Sequence, residues 1–139
     1  MLNRAIGGIL MIAASGAAGG VALQQQPAAD APFLLFFDWG KPDVRSDDMA
    51  VLDQVAAAWR ARPPNHLRLT GHSDRSGSLA VNRAAGLNRA ATVRAELERR
   101  GVPRNAMRIA SFGEERPLVP TEDGVREVQN RRVVIIFEE

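Results

Sequence analysis

Beyond residue 32 the apolar positions fall into short runs whose period changes from run to run. Phe33-Leu34-Leu35-Phe36-Phe37 is a continuous apolar run and reads as a buried strand. Asp38 to Arg45, with Gly40 and Pro42, reads as a turn region. Ser46 suits an N-cap, and Asp47 and Asp48 suit the positive end of the helix that follows. That helix carries Met49, Leu52, Val55, Ala56 and Trp59 inward and ends before Pro63-Pro64. Leu67, Leu69 and Gly71 alternate with Arg68 and Thr70, the period of a second strand. Ser78 can cap a long helix from Leu79 to Arg100, which Gly101 stops. Met107 to Phe112 and Val133 to Phe137 read as third and fourth strands. Pro117 to Gln129 is a loop with room for a short helical turn. The order β-α-β-α-β-β predicts an α/β two-layer sandwich, with two helices packed on one face of a small mixed sheet.

The first 32 residues differ in kind. Arg4 closes a short basic start, and Ala5 to Leu23 carry no charge, with Ile6, Ile9, Leu10, Met11 and Ile12 the most apolar part. This is the pattern of a secretory signal, with a cleavage point after Ala22. An uncleaved membrane anchor is the alternative, and the Gly/Ala content makes it a poor span. We therefore read residues 1–23 as a signal or anchor with cleavage favoured, 24–32 as a linker, and 33–139 as one domain. Both readings export the domain. With no cysteine in the chain, disulfides, thiolate metal sites and lipid attachment at the signal junction are not expected.

The 139 residues hold 18 basic and 16 acidic side chains, a net charge of +2, and Lys41 is the sole lysine. Arginine binds carboxylates bidentately, so this composition favours local anion contacts. There is no basic run and no stacking set of aromatics, which argues against a nucleic-acid partner. His66 and His72 make a weak metal reading: His66 reads as solvated and His72 as a structural group in a turn. No nucleophile motif is present. An acid pair of Asp74 with Glu114 or Glu115 is the one arrangement an enzyme reading could use, so catalysis is not expected.

Gly71-His72-Ser73-Asp74 stands where the second strand ends, and strand ends in α/β sheets are frequent ligand positions. Asp74 alone suits either a turn acid or a ligand contact. On the long helix, Asn82, Gly86, Arg89 and Val93 share one stripe. Val93 reads as core, so Arg89 is drawn toward the interior, where an arginine must snorkel or find a partner. Gly86 costs about 1 kcal/mol relative to alanine inside a helix, which suggests close approach of another group.

Together with Gly77, Arg89-Ala90 and Asn130-Arg131-Arg132, these residues resemble the OmpA-like peptidoglycan-binding domain over Phe33 to Phe137. Family members show Gly-His-Thr-Asp, then Gly, Asn, Leu-Ser and Arg-Ala at this spacing. The resemblance implies a non-catalytic, cofactor-free domain that binds the meso-diaminopimelate of peptidoglycan stem peptides in the periplasm. Asp74 would accept the ammonium and Arg89 would fork onto the carboxylate. Asn82 would support the loop or the ligand, Arg131 would be the basic residue near the pocket, with Arg132 facing outward, and Asp38 would be a further polar contact. Val81 replaces the family's Tyr. Ala85-Gly86 replaces Leu-Ser, which thins the pocket wall, and Glu127 stands where Arg is common. Other envelope proteins are possible partners. The alternative is a domain of this fold that has lost wall binding and serves protein interaction.

Overall fold

The structure is a computed structural model that describes residues 31–139. The signal or anchor segment and most of the linker lie outside the described residues. The elements are β1 (Phe33–Phe36), α1 (Met49–Ala61), β2 (His66–His72), α2 (Leu79–Arg99), β3 (Met107–Gly113) and β4 (Arg132–Glu138). Short 3-10 turns cover Ser46–Asp48, Arg104–Ala106 and Val128–Asn130.

The strands lie in the order β1-β4-β2-β3. β4 pairs antiparallel with both β1 and β2, while β2 and β3 pair in parallel. A parallel pair needs a long crossover, and α2 supplies it. Leu35, Leu67, Leu69, Val133 and Ile135 on the sheet, Leu52, Val55 and Ala56 on α1, and Ala90, Val93 and Leu97 on α2 share one buried cluster. Both helices therefore cover one sheet face, as the periodicity predicts.

Three local expectations are corrected. Ser46 does not cap α1: Ser46–Asp48 form the 3-10 turn, and no side chain caps the helix. The Asp48 carboxylate instead accepts the Phe36 amide at 2.8 Å, fixing the helix start against β1. The apolar run of β1 is buried on one face only, because Leu34 points away from the helices and is exposed. His66 is not simply solvated: its ring pairs with Glu138, which also takes Arg68.

α2 is capped as expected, with the Ser78 hydroxyl accepting the Val81 amide at 3.2 Å, and Gly101 leaves the helix at φ 97°. Its placement on the sheet depends on two glycines. A Cβ on Gly71 of β2 would land inside the Gly86 carbonyl, and a Cβ on Gly86 would clash first with the Ser111 hydroxyl of β3 and then meet the Gly71 carbonyl at 2.9 Å. Helix and strand backbones thus touch without side chains between them. The close approach that Gly86 suggested is to the sheet.

By propensity alone Gly86→Ala should stabilise α2 by about 1 kcal/mol. We expect the reverse, a loss of roughly 1–3 kcal/mol from overpacking against Gly71, read as a lower urea midpoint. A more stable variant would overturn this packing.

Candidate functional site

The close contact of Gly86 and Gly71 brings Arg89, almost one turn further along α2, to the end of β2. There the Arg89 Nη1 donates to the His72 carbonyl at 3.2 Å. Nε donates to the Lys41 carbonyl at 3.2 Å and Nη2 to the Asp38 carbonyl at 3.4 Å. The guanidinium also lies over the Phe37 ring, 5.5 Å from its centroid. Three of its five N–H groups are thus held by main-chain oxygens, leaving two for a ligand. Arg89 is 3% exposed. Burial foremost, then the positive charge of Arg131, lowers its pKa to about 10, while Asp74 acts in the opposite direction.

Asp74 is 2% exposed and fully hydrogen-bonded. Its Oδ1 accepts from the Ser76 amide (3.2 Å) and hydroxyl (2.6 Å). Oδ2 accepts from the Glu127 amide (3.1 Å) and from Arg131 Nη1 (2.7 Å). Burial alone would raise the pKa of this carboxyl. The Ser76 and Arg131 side chains and the Glu127 and Ser76 amides outweigh it and hold the pKa below the usual carboxylate range.

The remaining expected residues fall into separate roles. Asn82 donates to the Gly77 carbonyl at 3.0 Å and to Glu114 at 2.7 Å, so it ties the turn to β3. Arg131 is the partner of Asp74 and also donates to the Phe37 carbonyl at 2.9 Å. Asp38 is brought near by its main chain only, since its exposed carboxylate faces Arg45 at 3.6 Å. Arg132 does not face solvent: it is buried and donates to the Arg116 carbonyl at 2.9 Å. Glu114 takes Asn82 and Arg75, and Glu115 takes Arg83. Neither Glu114 nor Glu115 lines the cavity that Asp74 borders.

These groups border a cavity of about 400 Å³. Trp39, Lys41 and Pro42 line it from the loop after β1, Asp74 and Ser76 from the turn after β2, and Val81, Asn82, Ala84, Ala85, Asn88 and Arg89 from α2. Gly86 is not in the lining, so its lack of a side chain does not thin the wall, whereas Ala85, where the family has Leu, does line the cavity. Arg131 stands behind Asp74 and outside the lining. Sequence reasoning missed Trp39 and Ser76. A tryptophan in a Gly/Pro turn was the available signal for the first, and the second sits in an ordinary Asp-x-Ser turn.

A family model described as the OmpA family matches residues 36–131. The chain belongs to the OmpA family. Among its relatives, a peptidoglycan-associated lipoprotein of Rhizobium meliloti is 40% identical over 104 residues, covering 74% of this chain and 58% of that protein. An outer membrane protein of Gluconacetobacter diazotrophicus is 35% identical over 117 residues, covering 80% of this chain and 31% of that protein. The chain therefore spans only part of the length of these relatives, 58% of the first and 31% of the second. The crystal structure of the peptidoglycan-associated lipoprotein from Burkholderia pseudomallei superposes with a TM-score of 0.70 at 30% identity, over 76% of this chain and 89% of that one. The C-terminal domain of Helicobacter pylori MotB shares the fold, with a TM-score of 0.67 at 24% identity over 78% of this chain and 84% of that one. Among the described residues, no helix is long and apolar enough to cross a membrane.

His72, in the site's turn, differs from its expected part. Its Nδ1 has no hydrogen-bond partner, its ring packs on Phe112 at 5.7 Å, and its carbonyl is what holds Arg89. Burial, then the nearby charges of Arg132 and Arg116, lowers its pKa from 6.5 to about 4. Between these values the unfolded chain binds a proton that the folded chain refuses, so stability falls as pH drops. The carboxyl of Asp74 adds a further loss only below its unfolded value of 3.8. We expect the unfolding free energy of the parent to decline from pH 7 to 4.5 by up to roughly 3 kcal/mol, and that of His72→Phe to decline less. Equal slopes in urea titrations would exclude His72 as the cause.

Proposed function

We propose that this domain binds peptidoglycan through the free end of meso-diaminopimelate in the stem peptide, without catalysis. The observation that carries this reading is the charge at the cavity floor. Two buried guanidinium groups, Arg89 and Arg131, stand against one buried carboxylate, Asp74. Such a floor is short of one negative charge, yet it also offers a carboxylate. A ligand bearing a carboxylate and an ammonium a short distance apart answers both.

The ligand carboxylate takes the two remaining Arg89 N–H groups. Its ammonium approaches Asp74 and replaces only the Ser76 hydroxyl hydrogen, which turns away while Oγ stays in place and keeps the Trp39 N–H. A lysine-type stem peptide has no carboxylate there and leaves buried Arg89 donors unmet, which costs affinity. The relatives named for association with peptidoglycan, and the match of Gly71-His72-Ser73-Asp74 and Arg89 to the family spacing, support the same ligand. We place the chain in the periplasm, with residues 1–23 as its export signal. Gly86 packs on the sheet, and Ala85, with its small side chain, lines a cavity that stays open to a ligand.

Co-sedimentation of the full chain with diaminopimelate-type sacculi tests this. The parent should pellet, and Asp74→Ala and Arg89→Ala should each reduce retention tenfold or more. Both residues are buried, so a third variant, Ala84→Trp, fills the cavity from an exposed helix position with little expected effect on folding. It too should lose retention. A parent that stays in the supernatant, or an Ala84→Trp variant that pellets like the parent, would sink the proposal.

A further inference from the structure

Trp39 is the feature of the cavity that neither the family pattern nor the charged contacts account for. It is large, 48% exposed, and lines the cavity from the loop after β1. An exposed tryptophan on a loop costs solvation of its apolar face unless something covers it. Here it is held rather than loose. Its indole N–H donates to the Ser76 hydroxyl at 3.0 Å. The Arg126 guanidinium lies over its ring, 3.5 Å from the centroid. Arg126 belongs to the long connection between β3 and β4 and does not line the cavity, so it backs the ring from outside.

The ring is thereby fixed on one edge and on one face, and its other face is the part that meets the cavity. That connection is itself anchored. The Gly124 amide donates to the Arg75 carbonyl at 2.8 Å, and the Glu127 amide donates to Asp74. Trp39 and the Asp74 carboxylate are therefore positioned by the same two segments, through Ser76 on one side and residues 124–127 on the other.

We propose that Trp39 is a stacking platform that packs against the methylene run of the bound diamino acid and fixes its direction in the cavity. This inference rests on the preceding reading of the ligand. Diaminopimelate is polar at its ends and apolar between them. Asp74 and Arg89 take one end, and the apolar middle must leave water for the contact to be favourable. Pro42, Val81, Ala84 and Ala85 are the remaining apolar lining and are all small or compact. Trp39 supplies the one broad apolar face. Its pinned geometry limits the rotamer entropy lost on binding, which favours affinity. An arginine over the outer face also places a positive charge near the cavity mouth, where a second ligand carboxylate would emerge.

The test is titration calorimetry of the full chain with free meso-diaminopimelate, paired with retention on diaminopimelate-type sacculi, for the parent, Trp39→Ala, Trp39→Phe and Arg126→Gln. Trp39→Ala should weaken binding about tenfold, Trp39→Phe should stay within about threefold of the parent, and Arg126→Gln should fall between them. Tryptophan emission should also shift as the parent saturates, with half-buried Trp59 as a constant background. Trp39→Ala binding as tightly as the parent overturns the inference while leaving the wall-binding reading intact. So does Trp39→Phe binding as poorly as Trp39→Ala, because the operative contact is then the indole hydrogen bond to Ser76 and not the ring face. A parent that binds neither probe takes down both readings together.

Discussion

The buried pair of Asp74 and Arg131 is the contact through which the site end of the domain is assembled. The two residues lie 57 positions apart, one just past β2 and the other just before β4, and meet at 2.7 Å. Arg131 extends the contact to β1 through the Phe37 carbonyl, and Asp74 extends it to the β3–β4 connection through the Glu127 amide. Removing either partner would leave the other buried charge uncompensated, a loss of roughly 3–5 kcal/mol by comparison with other buried pairs. The pair is stable because Asp74 has four donors and no unmet lone pair, and not because opposite charges attract in the interior.

Arg89 depends on that same framework in a different manner. Among the described residues it has no carboxylate partner. Three main-chain carbonyls, from Asp38, Lys41 and His72, surround it instead. Carbonyl dipoles can hold a guanidinium in place without cancelling its charge. The result is a fixed cation with donors left over, next to a carboxylate that is already neutralised. A full internal ion pair at Arg89 would instead cancel that charge and occupy those donors.

The long β3–β4 connection has little regular structure, yet it is held at many points. Buried Asn130 accepts the Leu118 and Val119 amides at 2.8 Å and donates to the Val119 carbonyl at 2.8 Å. Arg75 holds Glu114 and the Thr121 carbonyl, and Arg132 holds the Arg116 carbonyl. Side-chain amides and guanidinium groups here do what a sheet ladder does elsewhere, satisfying main-chain groups that would otherwise be unpaired. These anchors let a segment whose one regular element is a short 3-10 turn set the Glu127 amide against Asp74 and Arg126 over the Trp39 ring.

Much of this was legible in the residues before any coordinates. Periodicity located the four strands and both main helices, because alternation and 3.6-residue spacing follow from where Cβ atoms point on each element. The stripe of Asn82, Gly86, Arg89 and Val93 foretold an arginine facing inward and a glycine at a close contact. The spacing of Asp74 and Arg89 brought both to one cavity. What the sequence could not settle was pairing between distant segments. The placement of β4 between β1 and β2, the use of Arg131 as the partner of Asp74, the burial of Arg132, the hydrogen bond of His66 with Glu138, and the seat of Trp39 between Ser76 and Arg126 all join residues with no local pattern linking them. Local period reports which face a side chain takes, whereas a partner tens of residues away is chosen by which charges and donors the closed chain leaves unsatisfied. For this protein the sequence by itself determined the elements and the inward faces, and the tertiary structure alone decided which buried polar groups met.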